Sequence, residues 1–195
     1  MKTLLIAWTL FILLAAHGCG IFSTRNPEEP IAASDTYQPP VSPEIVLENL
    51  AASIRERNSN NYLRCLVDTV SSERRFRFIP TSDAAGRYAS VFASWNLQSE
   101  QSYFQNIIAV TPADAQSSLA LNGSFQVLTS DSSLYFADYI LVVRHGLSGI
   151  PETYSGRLQF TLATDRNQFW SIVQWEDIEQ AGKASWSDLK GRFSN

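Results

Sequence analysis

The stretch "TYSGRLQFTLATDRNQFWSIVQWEDI", residues 153–178, decides the fold. It holds two β-rich runs on either side of the polar residues Asp165 to Gln168, which is the pattern of an antiparallel hairpin. With Thr164 paired to Phe169, the residues Leu158, Phe160, Leu162, Phe169, Val173 and Trp175 share one face, because alternate side chains of a strand point the same way. A face that apolar must be covered, and what covers it sets the architecture.

Working back from the hairpin, "LYFADYILVVRH" (134–145) is another long β-rich run and "SSLALNGSFQV" (117–127) alternates weakly, so everything after Thr111 reads as antiparallel sheet. The covering elements lie earlier. In "SPEIVLENLAASIRERN" (42–58), Ser42 suits an N-cap, Pro43 the first helical position and Glu44 the positive helix end. Leu47, Leu50, Ala51 and Ile54 form its apolar stripe. The polar run from Asn58 to Asn61 breaks this helix, and "NNYLRCLVD" (60–68) gives a second, short one with Tyr62, Leu63, Leu66 and Val67 inward. "FRFIP" (76–80) is a short edge strand stopped by Pro80. "WNLQSEQSYFQNIIAV" (95–110) is a third helix capped by Ser94 or Asn96. The segment from Thr81 to Ser94 has no clear period, and the tail "ASWSDLKGRF" (184–193) carries Trp186, Leu189 and Phe193 and is expected to dock.

Helices first and a long meander afterwards is an α+β order. This succession, ending in "FWSIVQW", resembles the nuclear transport factor 2-like superfamily, which includes ketosteroid isomerase and the polyketide cyclases. The resemblance spans residues 43–178 and implies a cone-shaped, curved antiparallel sheet wrapped around the N-terminal helices. In the isomerase pattern a tyrosine lies on the first helix, a base carboxylate just before a proline on the first strand, and an acid on a late strand. Laid on this chain, those places fall near Leu50, at Ile79 and near Phe160, all apolar, so that chemistry is expected to be absent. Many proteins of the superfamily associate through the sheet, which implies a possible homodimer.

Other residues are candidates for a site. Asp138 shares a strand face with Phe136, Ile140 and Val142, and an acid on a buried apolar face is a functional candidate. If the opposite face, with Tyr135, Tyr139 and Leu141, is the inward one, Asp138 stands in water. His145, beside Arg144 and before Gly146, is a strand-end residue near a turn or an acid–base group. Asp68 reads as a cap or turn residue. Tyr62, Tyr103, Phe160, Trp170 and Trp175 are candidates for an aromatic pocket, and Ser171 for leaving space within it, against the alternative that the rings are core.

The chain start bears on location. Lys2, the apolar run from Thr3 to Ala16 and the small residues after it have the layout of a secretory signal, and the run is short of the ~20 residues a spanning helix needs. "AAHGC" resembles a bacterial lipobox, with Ala16 and His17 where the commonest form has leucine and a small residue. The resemblance implies cleavage after residue 18, acylation of Cys19, and a membrane anchor. Gly20 after the cysteine implies the outer membrane, periplasmic side, of a Gram-negative envelope. Residues 19–42 contain four prolines and read as a disordered tether, leaving 43–195 as a single domain.

Composition excludes several classes. The formal charge of −4 becomes more negative once Lys2 leaves, and the one basic cluster, Glu73 to Arg77, fits a charged edge strand, so nucleic acid is not expected as a partner. Cys65 is then the one remaining thiol and reads as a buried small hydrophobe rather than a nucleophile. Zinc ligands, a Gly-rich phosphate loop and a G-x-S-x-G elbow are missing, and no cofactor or metal is expected. What remains is an envelope lipoprotein domain that binds a small apolar ligand or a protein partner. The alternatives are an enzyme of isomerase, dehydratase or cyclase type with a noncanonical site, and a structural element whose cone is filled.

Overall fold

A computed structural model describes residues 36–194; the signal and Cys19 lie outside the described residues. Helix α1 (Pro43–Glu56) has Pro43 at its start and Ser42 at the N-cap, where the hydroxyl makes no capping bond. Val46, Leu50 and Ile54 are its buried stripe, and Arg57, left-handed at φ 55°, ends it. Helix α2 (Ser59–Arg64) is capped by the Asn58 side chain, which accepts from the Asn61 N–H. Residues 36–42, assigned above to the tether, lie along the domain: Gln38 and Asn49 exchange two hydrogen bonds, and the Pro40 carbonyl accepts from the Trp170 N–H.

Strand β1 (Arg77–Ile79) is followed by two short helices, α3 (Ser82–Arg87) and α4 (Ala89–Phe92), in the segment without a clear period. Helix α5 (Leu97–Val110) starts at a capping box between Asn96 and Ser99. Then come β2 (Ser118–Thr129), β3 (Ser132–Val142), β4 (Thr153–Thr164), β5 (Trp170–Glu179) and helix α6 (Trp186–Arg192). The five strands form one curved sheet in the order β1-β5-β4-β3-β2. β2 to β5 are antiparallel, while β1 adds to the β5 edge in parallel. The parallel pairing follows from the path of the chain, since residues 65–67 already run beside β5, with Ile172 bonded to both Cys65 and Val67.

The hairpin register differs from the expected one. Thr164 pairs with Trp170 rather than Phe169, because the Asp165 carboxylate accepts from the N–H groups of Asn167 and Phe169 and draws Phe169 into the turn. A bulge follows: Thr161 pairs with Gln174 but Leu162 with Ile172. The extra residue, Val173, flips the alternation. Ile172 therefore takes the inner place expected for Val173, and Phe169 is left 40% exposed.

The inner face of the sheet carries Tyr135, Tyr139, Leu141, Tyr154, Leu158, Phe160, Leu162, Ile172 and Trp175, all buried. Each such side chain contributes roughly 1.5–3 kcal/mol of burial. α1 lies against β2 and β5, and α6 against β4. The tail docks as expected, with Trp186, Leu189, Lys190 and Phe193 buried.

Candidate functional site

The hollow of the sheet holds a polar network that composition alone does not announce. Glu100 stands one residue beyond the α5 capping box, on the face that also carries Tyr103, Phe104 and Ile107, and none of its surface is exposed. Its carboxylate accepts from the Tyr62 hydroxyl at 2.8 Å, from the Trp95 indole N–H at 2.7 Å and from the Lys190 ammonium. Lys190 comes from α6, is also fully buried, and lies 3.7 Å from the centroid of the Trp175 ring and 3.9 Å from that of Phe78. Burial pushes its ammonium down to about 8, against the attraction of Glu100 and Asp177.

A second cluster adjoins the first. Asp177, on the inner face of β5, accepts from the Tyr139 hydroxyl at 2.9 Å, the Ser187 N–H at 2.6 Å and the Ser187 hydroxyl at 2.5 Å. Burial raises its carboxyl, and these bonds oppose the rise. The Tyr139 oxygen in turn accepts from the Trp186 N–H, and the Trp186 indole N–H donates to the Tyr103 hydroxyl. Burial, aided by Glu100, raises the Tyr62 and Tyr103 phenols well above their ordinary value. Each of these bonds joins the chain to itself, in a space from which solvent is excluded.

Of the pocket candidates, Tyr62, Tyr103, Phe160 and Trp175 do converge on this hollow, as packed core. Tyr62 stacks on Phe104 at 4.2 Å, and Phe160 meets Trp175 edge-on at 5.0 Å. The Trp186 ring lies perpendicular to Trp175 at 4.4 Å, and the space between α1, α5, β3 and α6 amounts to about 10 Å³. Ser171 stands elsewhere. It lines a surface cleft of about 430 Å³ walled by Tyr37, Pro39, Pro40, Leu63, Leu97, Phe169 and Trp170, with Arg64, Asp68 and Asp165 at its polar places.

Asp138 is on the outer face, its side chain 63% exposed and paired across the strands with Arg157 at 3.3 Å. His145 is buried just beyond β3, with both ring nitrogens engaged. Nδ1 accepts from the Leu147 N–H, so Nε2 carries the proton and donates to the Pro151 carbonyl, each at 3.0 Å. Asp68 makes a turn, accepting from the Val70 N–H. Cys65 is buried and its thiol is pushed up to about 12 by desolvation.

Glu100, Asp177, Ser187 and Lys190 were missed as site residues. A signal for three of them lay in the spacing. Glu100, Tyr103, Phe104 and Ile107 fall at i, i+3, i+4 and i+7, and so do Trp186, Leu189, Lys190 and Phe193. One acid and one base, each on an apolar stripe, form a complementary pair. Asp177 lies two residues beyond Trp175 and so shares its face, which corrects the expectation that the inner face of the late hairpin stays apolar.

No protein-family model matches the chain, and no curated protein does. Among solved structures, the domain is similar to a candidate scytalone dehydratase from Novosphingobium aromaticivorans, with 9% identity, a TM-score of 0.54, and 73% of this chain and 88% of that one covered. It is similar to a candidate aromatic ring hydroxylase from the same organism, with 10% identity, a TM-score of 0.52, and coverage of 78% and 96%. A candidate dehydratase of the nuclear transport factor 2-like family from Streptomyces avermitilis aligns with 7% identity, a TM-score of 0.51, and coverage of 71% and 94%. At such identities the likeness is one of fold, and the fold is nuclear transport factor 2-like.

Proposed function

We propose that this chain is a lipid-anchored protein of a bacterial envelope whose domain binds a small apolar ligand without catalysing a reaction on it. The observation that carries the reading is the contrast between two spaces. The hollow of the sheet is packed by Trp95, Trp175, Trp186 and the Glu100–Lys190 pair, whereas the cleft at Ser171 is open, about 430 Å³ in volume and walled mainly by apolar and aromatic side chains. That volume falls within the range of small-molecule sites. The dehydratase and hydroxylase names of similar structures offer an enzymatic alternative. It is disfavoured because every carboxylate in the hollow is bonded to the chain's own donors, and because Asp138 is exposed on the outer face while both His145 ring nitrogens are bonded to backbone.

The anchor rests on the apolar run before residue 18, on Cys19 and on the proline-containing stretch after it. Acylation adds about 0.8 kcal/mol of membrane affinity per buried methylene, and two or more chains hold a protein stably. Cys19→Ser is expected to release the protein from the membrane fraction and abolish labelling by fatty acid; a variant still membrane-bound and acylated overturns the anchor. For the domain, native mass spectrometry after exposure to an envelope extract is expected to show an added mass that Ser171→Trp removes. An added mass unaffected by Ser171→Trp places the ligand elsewhere.

A second reading, association through the sheet, is favoured by the apolar residues on its outer side. Ile140 is 54% exposed, with Phe136 and Ile178 also exposed. A dimer by light scattering that Ile140→Lys disperses supports it, and a monomer for the unaltered protein removes it.

A further inference from the structure

The Lys190 ammonium is surrounded as a guest is surrounded by a host. Besides the close faces of Trp175 and Phe78, the rings of Tyr103 and Trp95 stand 5.5 and 5.6 Å away, all within the distance at which a cation is drawn to an aromatic face. Glu100 supplies the counter-charge. The walls rest largely on elements other than α6, whose Trp186 touches Trp175 and Tyr103 from one side. Phe78 and Trp175 are held opposite each other by the β1–β5 pairing, and Phe78 also packs on Trp95. Glu100 is oriented by Tyr62 and Trp95, which bond it independently of the lysine. One wall group is unanswered: the Trp175 indole N–H is buried without a hydrogen-bond partner, and an ammonium, which only donates, does not satisfy it.

The guest is carried on an element that can leave. α6 supplies no strand to the sheet, so its departure breaks no strand pairing, and it follows an exposed turn in which Gly182 adopts φ 73°. Its hydrogen bonds to the hollow run from the Trp186 and Ser187 backbone N–H groups to Tyr139 and Asp177, and from the Trp186 and Lys190 side chains to Tyr103 and Glu100. A buried ion pair is a poor choice for stability alone, since well-packed apolar residues of the same volume do as well or better.

We propose that the hollow of the sheet is a recognition site for a primary alkylammonium group, and that in the resting chain Lys190 fills it as an intramolecular ligand carried on α6. The site goes beyond the Ser171 cleft and does not depend on it. Any external amine competes with a tethered one, whose effective concentration is in the millimolar range or above.

The test is chemical rescue in the full chain. Lys190→Ala removes a fragment equivalent to propylammonium. Adding propylammonium chloride is expected to raise the Tm of the variant and to bind it saturably by calorimetry, with a Kd between about 40 µM and 10 mM, the range open to a guest of four non-hydrogen atoms. Propanol and propionate are expected to do neither, and Lys190→Ala/Glu100→Gln to lose at least tenfold in amine affinity. Equal stabilisation by propanol, or no binding of the amine, overturns the proposal. If Lys190→Ala does not fold alone, refolding yield with propylammonium against propanol is the readout, with the same two outcomes. In the unaltered chain, native-state hydrogen exchange is expected to show residues 186–192 opening at least tenfold more often than β3 and β4; equal protection overturns the role of α6 as a releasable ligand.

Discussion

Replacing Lys190 by Met while leaving Glu100 in place should be among the most damaging conservative changes available to this domain, and a second substitution should largely repair it. Both side chains are fully buried, so Lys190→Met leaves a carboxylate with two neutral donors, Tyr62 and Trp95, and no counter-charge. Breaking a buried pair in this way costs about 3–5 kcal/mol. Glu100→Gln leaves the ammonium among aromatic faces, with Asp177 as the other acidic group acting on it, at a cost of about 3 kcal/mol by the same reasoning. The double variant Lys190→Met/Glu100→Gln removes both charges and keeps the volume, so its stability should lie within about 1 kcal/mol of the parent or above it. The cycle then closes with a coupling of several kcal/mol, beyond the range usual for neighbouring residues. Urea denaturation followed by tryptophan fluorescence measures all four proteins, since Trp95, Trp175 and Trp186 lie around the pair, and an unchanged m-value confirms that the same surface is exposed in each. Additive losses in the double variant would refute the pairing.

Stability of the parent should rise between about pH 8 and 10. The folded state holds the Lys190 proton less tightly than the unfolded state does, about 8 against 10.5. The unfolded chain therefore binds more protons in that window, and the gain is at most about 3 kcal/mol. The double variant should lack this rise, and above pH 10 the buried Tyr62 and Tyr103, whose phenols are raised, reverse it. Gly191→Ala should cost about 1–3 kcal/mol, because its Cβ would stand 2.4 Å from the Tyr88 ring; a Tm unchanged by this substitution contradicts the seating of α6. Asp138→Asn should change stability by less than about 0.5 kcal/mol, since its ion pair with Arg157 is exposed. Cys65 should resist a maleimide in the native protein and react on unfolding, by mass spectrometry, because its thiol is buried and pushed up to about 12.

Local pattern carried most of the architecture. The stripe Val46, Leu50 and Ile54, the cap at Asn96 and the alternation of residues 134–142 are each set by neighbours a few positions away, and each element forms where its pattern places it. The turn at residues 165–168 was legible as well. Its register was not, because the Asp165 carboxylate captures two N–H groups at once and the bulge at Val173 moves Ile172 inward, both small local effects that the turn residues leave open. Ser171 was legible as a place with room, but as part of the hollow rather than of the cleft where it stands.

By itself, then, the sequence determined the α+β class, the order of the long helices and strands, the docking tail and the two alternative faces of β3. Periodicity reports which way a side chain points, and these are statements about direction. Whether the hollow is empty is a statement about volume, and it depends on how far apart β1, β5, α5 and α6 settle once their faces meet. Only the tertiary structure brings Lys190 to Glu100, 90 positions apart in the chain, and sets Phe78, Trp95, Tyr103 and Trp175 around them. A charge on an apolar stripe is costly alone and tolerable with its opposite, and that compensation exists only across the fold.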